Sequence, residues 1–146
     1  AVGRDSRKRW ISAALPSRNC WRRLTTLLAG RAVGAGGADT AIGTGALQND
    51  NGSSNSAVGF NALIINDTGF NNAAFGIRAM ENNISGLNNT AIGNLTLDLL
   101  GSGSNNVALG RLAGAGLTTA NNNIVIGHLD GVHSVFGQSD NSCYIE

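Results

Sequence analysis

Residues 89–93 read NTAIG, and five further segments of the chain repeat this pattern almost residue for residue. Each segment has asparagine or aspartate first, alanine or valine third, a large apolar residue fourth and glycine last. The segments are DTAIG at 39–43, NSAVG at 55–59, NAAFG at 72–76, NTAIG at 89–93, NVALG at 106–110 and NIVIG at 123–127. The closing glycines are spaced by 16, 17, 17, 17 and 17 residues. A phased series of this kind indicates a repeat protein.

Positions within a repeat are numbered from its closing glycine, and several columns keep the same phase. The glycine column is Gly43, Gly59, Gly76, Gly93, Gly110 and Gly127. Position −1 holds Ile42, Val58, Phe75, Ile92, Leu109 and Ile126. Position −2 holds Ala41, Ala57, Ala74, Ala91, Ala108 and Val125. Position −4 holds Asp39 and then Asn55, Asn72, Asn89, Asn106 and Asn123. Position +4 holds Leu47, Leu63, Met80 and Leu97 before the column ends at Gly114.

A 17-residue period is too short for a pair of helices and suits short strands joined by turns. Alternation along the first strand places positions −1 and −3 on one face and the alanine column on the other. We expect the large apolar column to form a thin core and the alanine column to form a smooth second face. A second strand is predicted at the Ala-Leu pair of positions +3 and +4, and stacked asparagines should bond each other and the turns.

The sequence therefore predicts an all-β fold, a parallel β-roll or solenoid of about six rungs over residues 38–131. Stacking at about 4.8 Å would give a rod on the order of 25–30 Å long. Because each rung buries only a thin apolar layer, a single chain would be marginal. Three copies packed around an axis would cover the remaining apolar faces, so we predict a homotrimer.

The pattern is compressed after Gly127. SVFG at 134–137 and NSCYI at 141–145 place Phe136 and Ile145 in the apolar column. Phe136 follows Ile126 by 10 residues, and Ile145 follows Phe136 by 9. Steps that short suit one strand per chain in each layer, with three chains completing the layer. Residues 132–146 are therefore predicted to begin a narrower, intertwined trimeric stem.

The NTAIG and NSAVG segments resemble the head repeat of trimeric autotransporter adhesins, which is a left-handed parallel β-roll that assembles as a trimer. The longer period and the Ala-Leu pair are also similar to repeats of phage tail fibres. The resemblance covers about residues 38–146 and implies a left-handed roll in an extracellular fibre, on a cell surface or a virion. The adhesin repeat is shorter than the repeat found in this chain. The ending at Glu146, without an anchor or a chaperone domain, suggests a fragment of a longer fibre.

Residues 1–37 form a basic leader. Eight of the ten Lys and Arg residues lie in residues 1–31, whereas the rest of the chain carries two cations and eight carboxylates. Short apolar runs allow a helical cap, broken near Pro16, and a disordered leader is the other interpretation. Despite the basic charge, no nucleic-acid partner is expected. No apolar run reaches the roughly 18 residues of a membrane helix, so no membrane span is expected.

The sequence offers no clear catalytic group, and we predict neither an enzyme nor a cofactor. His128 and His133 are five residues apart and are weak candidates for a metal site. Cys20 and Cys143 stand at opposite ends and form no ligand spacing. The function favoured is a structural or adhesive fibre segment that binds a surface glycan or protein receptor. A polysaccharide-active tail-fibre enzyme and an ice-binding solenoid remain as alternatives.

Overall fold

A computed structural model of the chain describes residues 37–128 and 140–145. Seven three-residue strands form one parallel sheet in chain order. The strands are β1 (Thr40–Ile42), β2 (Ser56–Val58), β3 (Ala73–Phe75), β4 (Thr90–Ile92), β5 (Val107–Leu109), β6 (Ile124–Ile126) and β7 (Cys143–Ile145). No helix occurs among these residues. The predicted all-β solenoid of about six turns is therefore confirmed.

The strands pair in the register that the repeat predicts. Ile42 lies beside Val58, and Val58 lies beside Phe75, so that residues of one column are stacked on each other. Ile126 pairs with Ile145, so β7 follows β6 in one step of the same sheet. The predicted steps of 10 and 9 residues are therefore wrong, because Ile126 and Ile145 are direct neighbours in the sheet and no rung intervenes. Residues 129–139 lie outside the described part of the chain, and the trimeric stem stays a prediction.

The two faces of the strand are the reverse of what the sequence predicted. The alanine column and Val125 are buried, whereas Phe75, Ile92 and Leu109 at position −1 are 43%, 44% and 46% exposed. The predicted core of large residues at position −1 is therefore wrong, because only the middle residue of each strand points inward. The inner space opposite that alanine is already filled by Leu47, Leu63, Met80 and Leu97.

The second strand predicted at the Ala-Leu pair is also wrong. Alternate residues there adopt left-handed backbone conformations, as at Asn61 (φ 55°) and Leu63 (φ 50°). This turn-rich side still hydrogen bonds from rung to rung, since the N–H of Leu47 donates to the carbonyl of Ala62 at 3.1 Å. The tight curvature directs position +4 inward, and this completes a core one side chain thick.

Some predictions concern residues that the structure does not describe. The leader lies outside the described residues except for Gly37, and so do His133 and Phe136. Within residues 37–128 and 140–145, no helix has the length and apolarity needed to cross a membrane. The left-handed sense of the roll stays a prediction.

Candidate functional site

The most prominent surface feature is a straight column of large apolar side chains at position −1. We call it the outer ladder, and it consists of Ile42, Val58, Phe75, Ile92, Leu109, Ile126 and Ile145. Its members lie one above another because the parallel register pairs each with the next. Six steps of about 4.8 Å make a ladder on the order of 29 Å long. Exposed apolar surface in one continuous strip marks an interaction site in soluble proteins.

Buried asparagines brace the inside of each rung. The first asparagine ladder is formed by Asn55, Asn72, Asn89, Asn106 and Asn123, all at most 1% exposed. The side-chain Nδ2 of Asn72 donates at 2.8 Å to the carbonyl of Gly86, in the turn that precedes the strand of the next rung. Its Oδ1 accepts the backbone N–H of Asn89 at 3.0 Å. The amides of Asn55, Asn72, Asn89 and Asn106 each make this pair of bonds, to a turn carbonyl of the next rung and to the backbone N–H of the next asparagine.

A second asparagine ladder lies at position +7 and consists of Asp50, Asn66 and Asn83. Asn66 donates to Asp50 at 2.6 Å, and Asn83 donates to Asn66 at 2.7 Å. The ladder ends at Asn83, whose Oδ1 has no hydrogen-bond partner, and the next rung has Leu100 at this position. Sequence reasoning did not single out this column, although three successive Asp or Asn residues at position +7 are a usable signal.

Both asparagine ladders end in a carboxylate at the N-terminal rung. Asp39 Oδ1 accepts the N–H of Asn55 at 2.8 Å, and Asp50 Oδ1 accepts the N–H of Gly52 at 3.0 Å. Burial, opposed by the Asn55 bond and assisted by the charge of Asp50, raises the pKa of Asp39 to about 6. Burial also raises the pKa of Asp50, against the hydrogen bonds that it accepts. Both carboxylates therefore bind protons at a higher pH than an ordinary aspartate does.

The glycine column permits the close stacking of the rungs. Gly76 has a φ of 145°, and a Cβ on it would collide with the carbonyl of Gly93 in the next rung. The same collision recurs at Gly59 and Gly93. An L-residue with a side chain rarely adopts this backbone conformation, so the position requires glycine on two grounds.

The candidate metal ligands are only partly described. His128 is exposed, and its Nε2 lies 3.3 Å from Nη1 of Arg111. A guanidinium is always a donor and carries a positive charge, so it disfavours a cation at that nitrogen. No group of three His, Cys, Asp or Glu residues among residues 37–128 and 140–145 could hold a metal ion.

Comparison with protein-family models, with curated proteins and with solved structures finds no match to this chain.

Proposed function

We propose that the chain is a rigid segment of an extracellular homotrimeric fibre, of the surface-adhesin or phage tail-fibre type. The outer ladder carries this proposal. It runs the length of the described roll, and Phe75, Ile92 and Leu109 are each more than two-fifths exposed in a single chain. Burial of apolar surface contributes roughly 25 cal/mol per Å², so covering the whole ladder is a favourable contribution to association.

A second copy of the chain is a suitable partner because it has the same repeat spacing. Side chains on one roll recur at about 4.8 Å, and only a partner with that spacing meets every rung equally well. A rotation axis parallel to the roll brings equal rungs of all copies to equal heights. Three copies around such an axis would enclose the outer ladder, in accord with the left-handed trimeric roll that the resemblance implies.

Binding to a glycan or protein receptor would use surfaces away from the outer ladder. Asn71, Asn88 and Asn105 form an exposed amide column in which successive side chains hydrogen bond at 3.2 Å. Amide groups both donate and accept, as recognition of sugar hydroxyls requires. This column is our candidate contact surface for an adhesive role. No observation among the described residues favours the polysaccharide-active or ice-binding alternatives.

Light scattering coupled to size-exclusion chromatography tests the assembly proposal. We expect the native particle to have three times the chain mass of 14.9 kDa. A folded monomer at micromolar concentration would contradict the proposal. A glycan array probed with the same particle tests the adhesive role, with an Asn71/Asn88/Asn105 triple glycine variant as its control. If the segment is only a spacer, the array will show no glycan binding that is lost in the triple glycine variant.

A further inference from the structure

A second exposed apolar surface lies on the turns that connect the strands, outside the outer ladder. We call it the turn patch, and it consists of Ile65, Asp67, Phe70 and Ile84. Ile65, Phe70 and Ile84 are 42%, 41% and 52% exposed. Asp67 is also exposed, and its Oδ1 accepts a hydrogen bond from Nδ2 of Asn51 at 2.8 Å. The turn patch thus combines three large apolar side chains with one carboxylate.

The turn patch belongs to the rungs near the N-terminal end of the roll. The N–H of Thr68 donates to the carbonyl of Ile84 at 2.9 Å, so the two turns that carry the patch are direct neighbours. Seventeen residues after Ile84, the equivalent place holds Gly101, and two repeats after Phe70 it holds Ser104. The columns that carry Phe70 and Ile84 therefore lose their apolar side chains further along the roll.

The described part of the chain begins at the head of the column that contains Phe70. The N–H of Ser54 donates to the carbonyl of Gly37 at 3.0 Å, and the N–H of Asn71 donates to the carbonyl of Ser53 at 3.1 Å. Gly37, Ser53 and Phe70 therefore occupy equivalent places in three successive turns. Two steps of about 4.8 Å place Phe70 about 10 Å from Gly37 along the roll.

The segment that precedes Gly37 is long enough to reach the turn patch. Residues 32–36 read AVGAG, and five residues extend by at most about 17 Å, which exceeds the distance to Phe70. Glycine permits the backbone conformations that a sharp reversal of the chain needs, and Gly34 and Gly36 precede Gly37. Residues up to Arg31 are therefore tethered within reach of the patch.

The same segment has the composition that the turn patch requires. Residues 21–31 read WRRLTTLLAGR and combine one tryptophan and three leucines with three arginines. A guanidinium pairs with a carboxylate through two parallel hydrogen bonds, and the large apolar side chains gain free energy when they are buried. Net charge favours the same contact, because residues 1–36 carry eight cations and one carboxylate whereas residues 37–77 carry three carboxylates and no cation.

We infer that residues 21–31 bind the turn patch of their own chain. Trp21 and the leucines cover Phe70 and Ile84, and an arginine pairs with Asp67. The short tether at Gly37 gives the segment a high effective concentration at the patch, so a modest affinity is sufficient. The inference goes beyond the proposed fibre and does not depend on it, because the segment and the patch belong to one chain.

Maleimide labelling of the full chain under reducing, native conditions tests the inference. In a Cys20→Ser, Cys143→Ser background, Ile84→Cys is compared with Leu99→Cys, which lies outside the turn patch. Both native side chains are 52% exposed in the described roll. We expect labelling about tenfold slower at position 84, because the bound segment has to leave before the thiol can react. Equal labelling rates in folded protein would overturn the inference.

Charge reversal identifies what covers the patch. Arg22→Glu combined with Arg23→Glu should raise the labelling rate at position 84 to that at position 99, since two carboxylates would face Asp67. The control is Arg7→Glu combined with Arg9→Glu, which makes the same change of charge outside residues 21–31 and should leave the labelling slow. Slow labelling that persists in the first variant would show that something else covers the patch and would overturn the inference.

The substitution Ile92→Glu on the outer ladder separates this inference from the proposed homotrimer. When it dissociates the particle, slow labelling at position 84 should persist. Protection that is lost on dissociation would show that another copy covers the patch, and this would overturn the assignment to the chain's own segment. A native monomer with slow labelling would refute the homotrimer and support this inference. Phe70→Cys repeats the measurement at a second position if Ile84→Cys disturbs folding.

Discussion

The side-chain Oδ1 of Asn72 accepts two hydrogen bonds from Asn89 in the next rung, from its backbone N–H at 3.0 Å and from its Nδ2 at 3.2 Å. Asn89 in turn accepts the same pair of bonds from Asn106, at 2.9 and 3.1 Å. Its Nδ2 also donates to the carbonyl of Gly103 at 2.9 Å. One buried amide therefore joins three rungs of the roll.

Replacing Asn89 by alanine is predicted to destabilise the roll by about 3 kcal/mol. The change leaves the buried N–H of Asn106 and the carbonyl of Gly103 without these bonds, and each such loss costs about 1–3 kcal/mol. Urea unfolding followed by circular dichroism measures the effect. The control is Asn88→Gly, which removes an exposed amide but keeps the left-handed backbone (φ 56°), and it should cost less than about 1 kcal/mol. Equal losses in the two variants would contradict the bracing role.

Gly76→Ala is predicted to prevent the roll from forming or to cost more than about 3 kcal/mol. The new methyl group meets the backbone of Gly93, which cannot move without separating the rungs. Gly101→Ala is the matched control, because its Cβ would meet only the carbonyl of Thr118 at 3.7 Å. Thermal melts of both variants check the prediction, and a tolerated Gly76→Ala would show that the rungs are less closely stacked than described.

Acidification is predicted to stabilise the N-terminal rung. Asp39 has a folded pKa of about 6, whereas an unfolded aspartate titrates near 3.9. At pH values between these two pKa values the folded chain binds more protons than the unfolded chain does. The free energy of unfolding therefore increases as the pH falls from about 7 to about 4. Solvent screening at this partly exposed group reduces the gain to on the order of 1 kcal/mol.

Asp39→Asn isolates this effect, because the asparagine keeps an oxygen for the N–H of Asn55 and does not titrate. We expect the variant to be more stable than the native chain at pH near 7 and equally stable near pH 4. Urea unfolding at both pH values measures the difference. A difference that is the same at both pH values would refute the assignment to Asp39.

Ile92→Glu is predicted to dissociate the particle and leave the roll folded. The side chain is already 44% exposed in the single chain, so a carboxylate there costs the fold little but would be buried between copies. Leu99→Glu is the control, since Leu99 is 52% exposed in a turn and lies outside the outer ladder. Sedimentation velocity should give monomers for the first variant and the native mass for the second. Dissociation by both variants would indicate a nonspecific effect of the added charge.

The rung, its phase and its parallel register could be predicted because they follow from the spacing of the glycines. Which face of each strand points to the core could not be predicted. Alternation shows that Ala91 and Ile92 point to opposite sides, but the usual preference for burying the larger residue selects the wrong one. The inner face is fixed by Leu97 and Asn89, which converge on the alanine side only because of left-handed turns that the sequence does not reveal. The same turns explain why position +7 was overlooked as a buried column.

The central claim is that other copies of the chain cover the outer ladder, and the reactivity of a cysteine placed on it tests this most directly. In a Cys20→Ser, Cys143→Ser background, Ile92→Cys and Leu99→Cys are labelled with a maleimide under reducing, native conditions. Both native side chains are similarly exposed in the single chain, at 44% and 52%. We predict labelling at least about tenfold slower at position 92, because closure of the interface reduces access to the thiol. Equal labelling rates in folded protein would contradict the account.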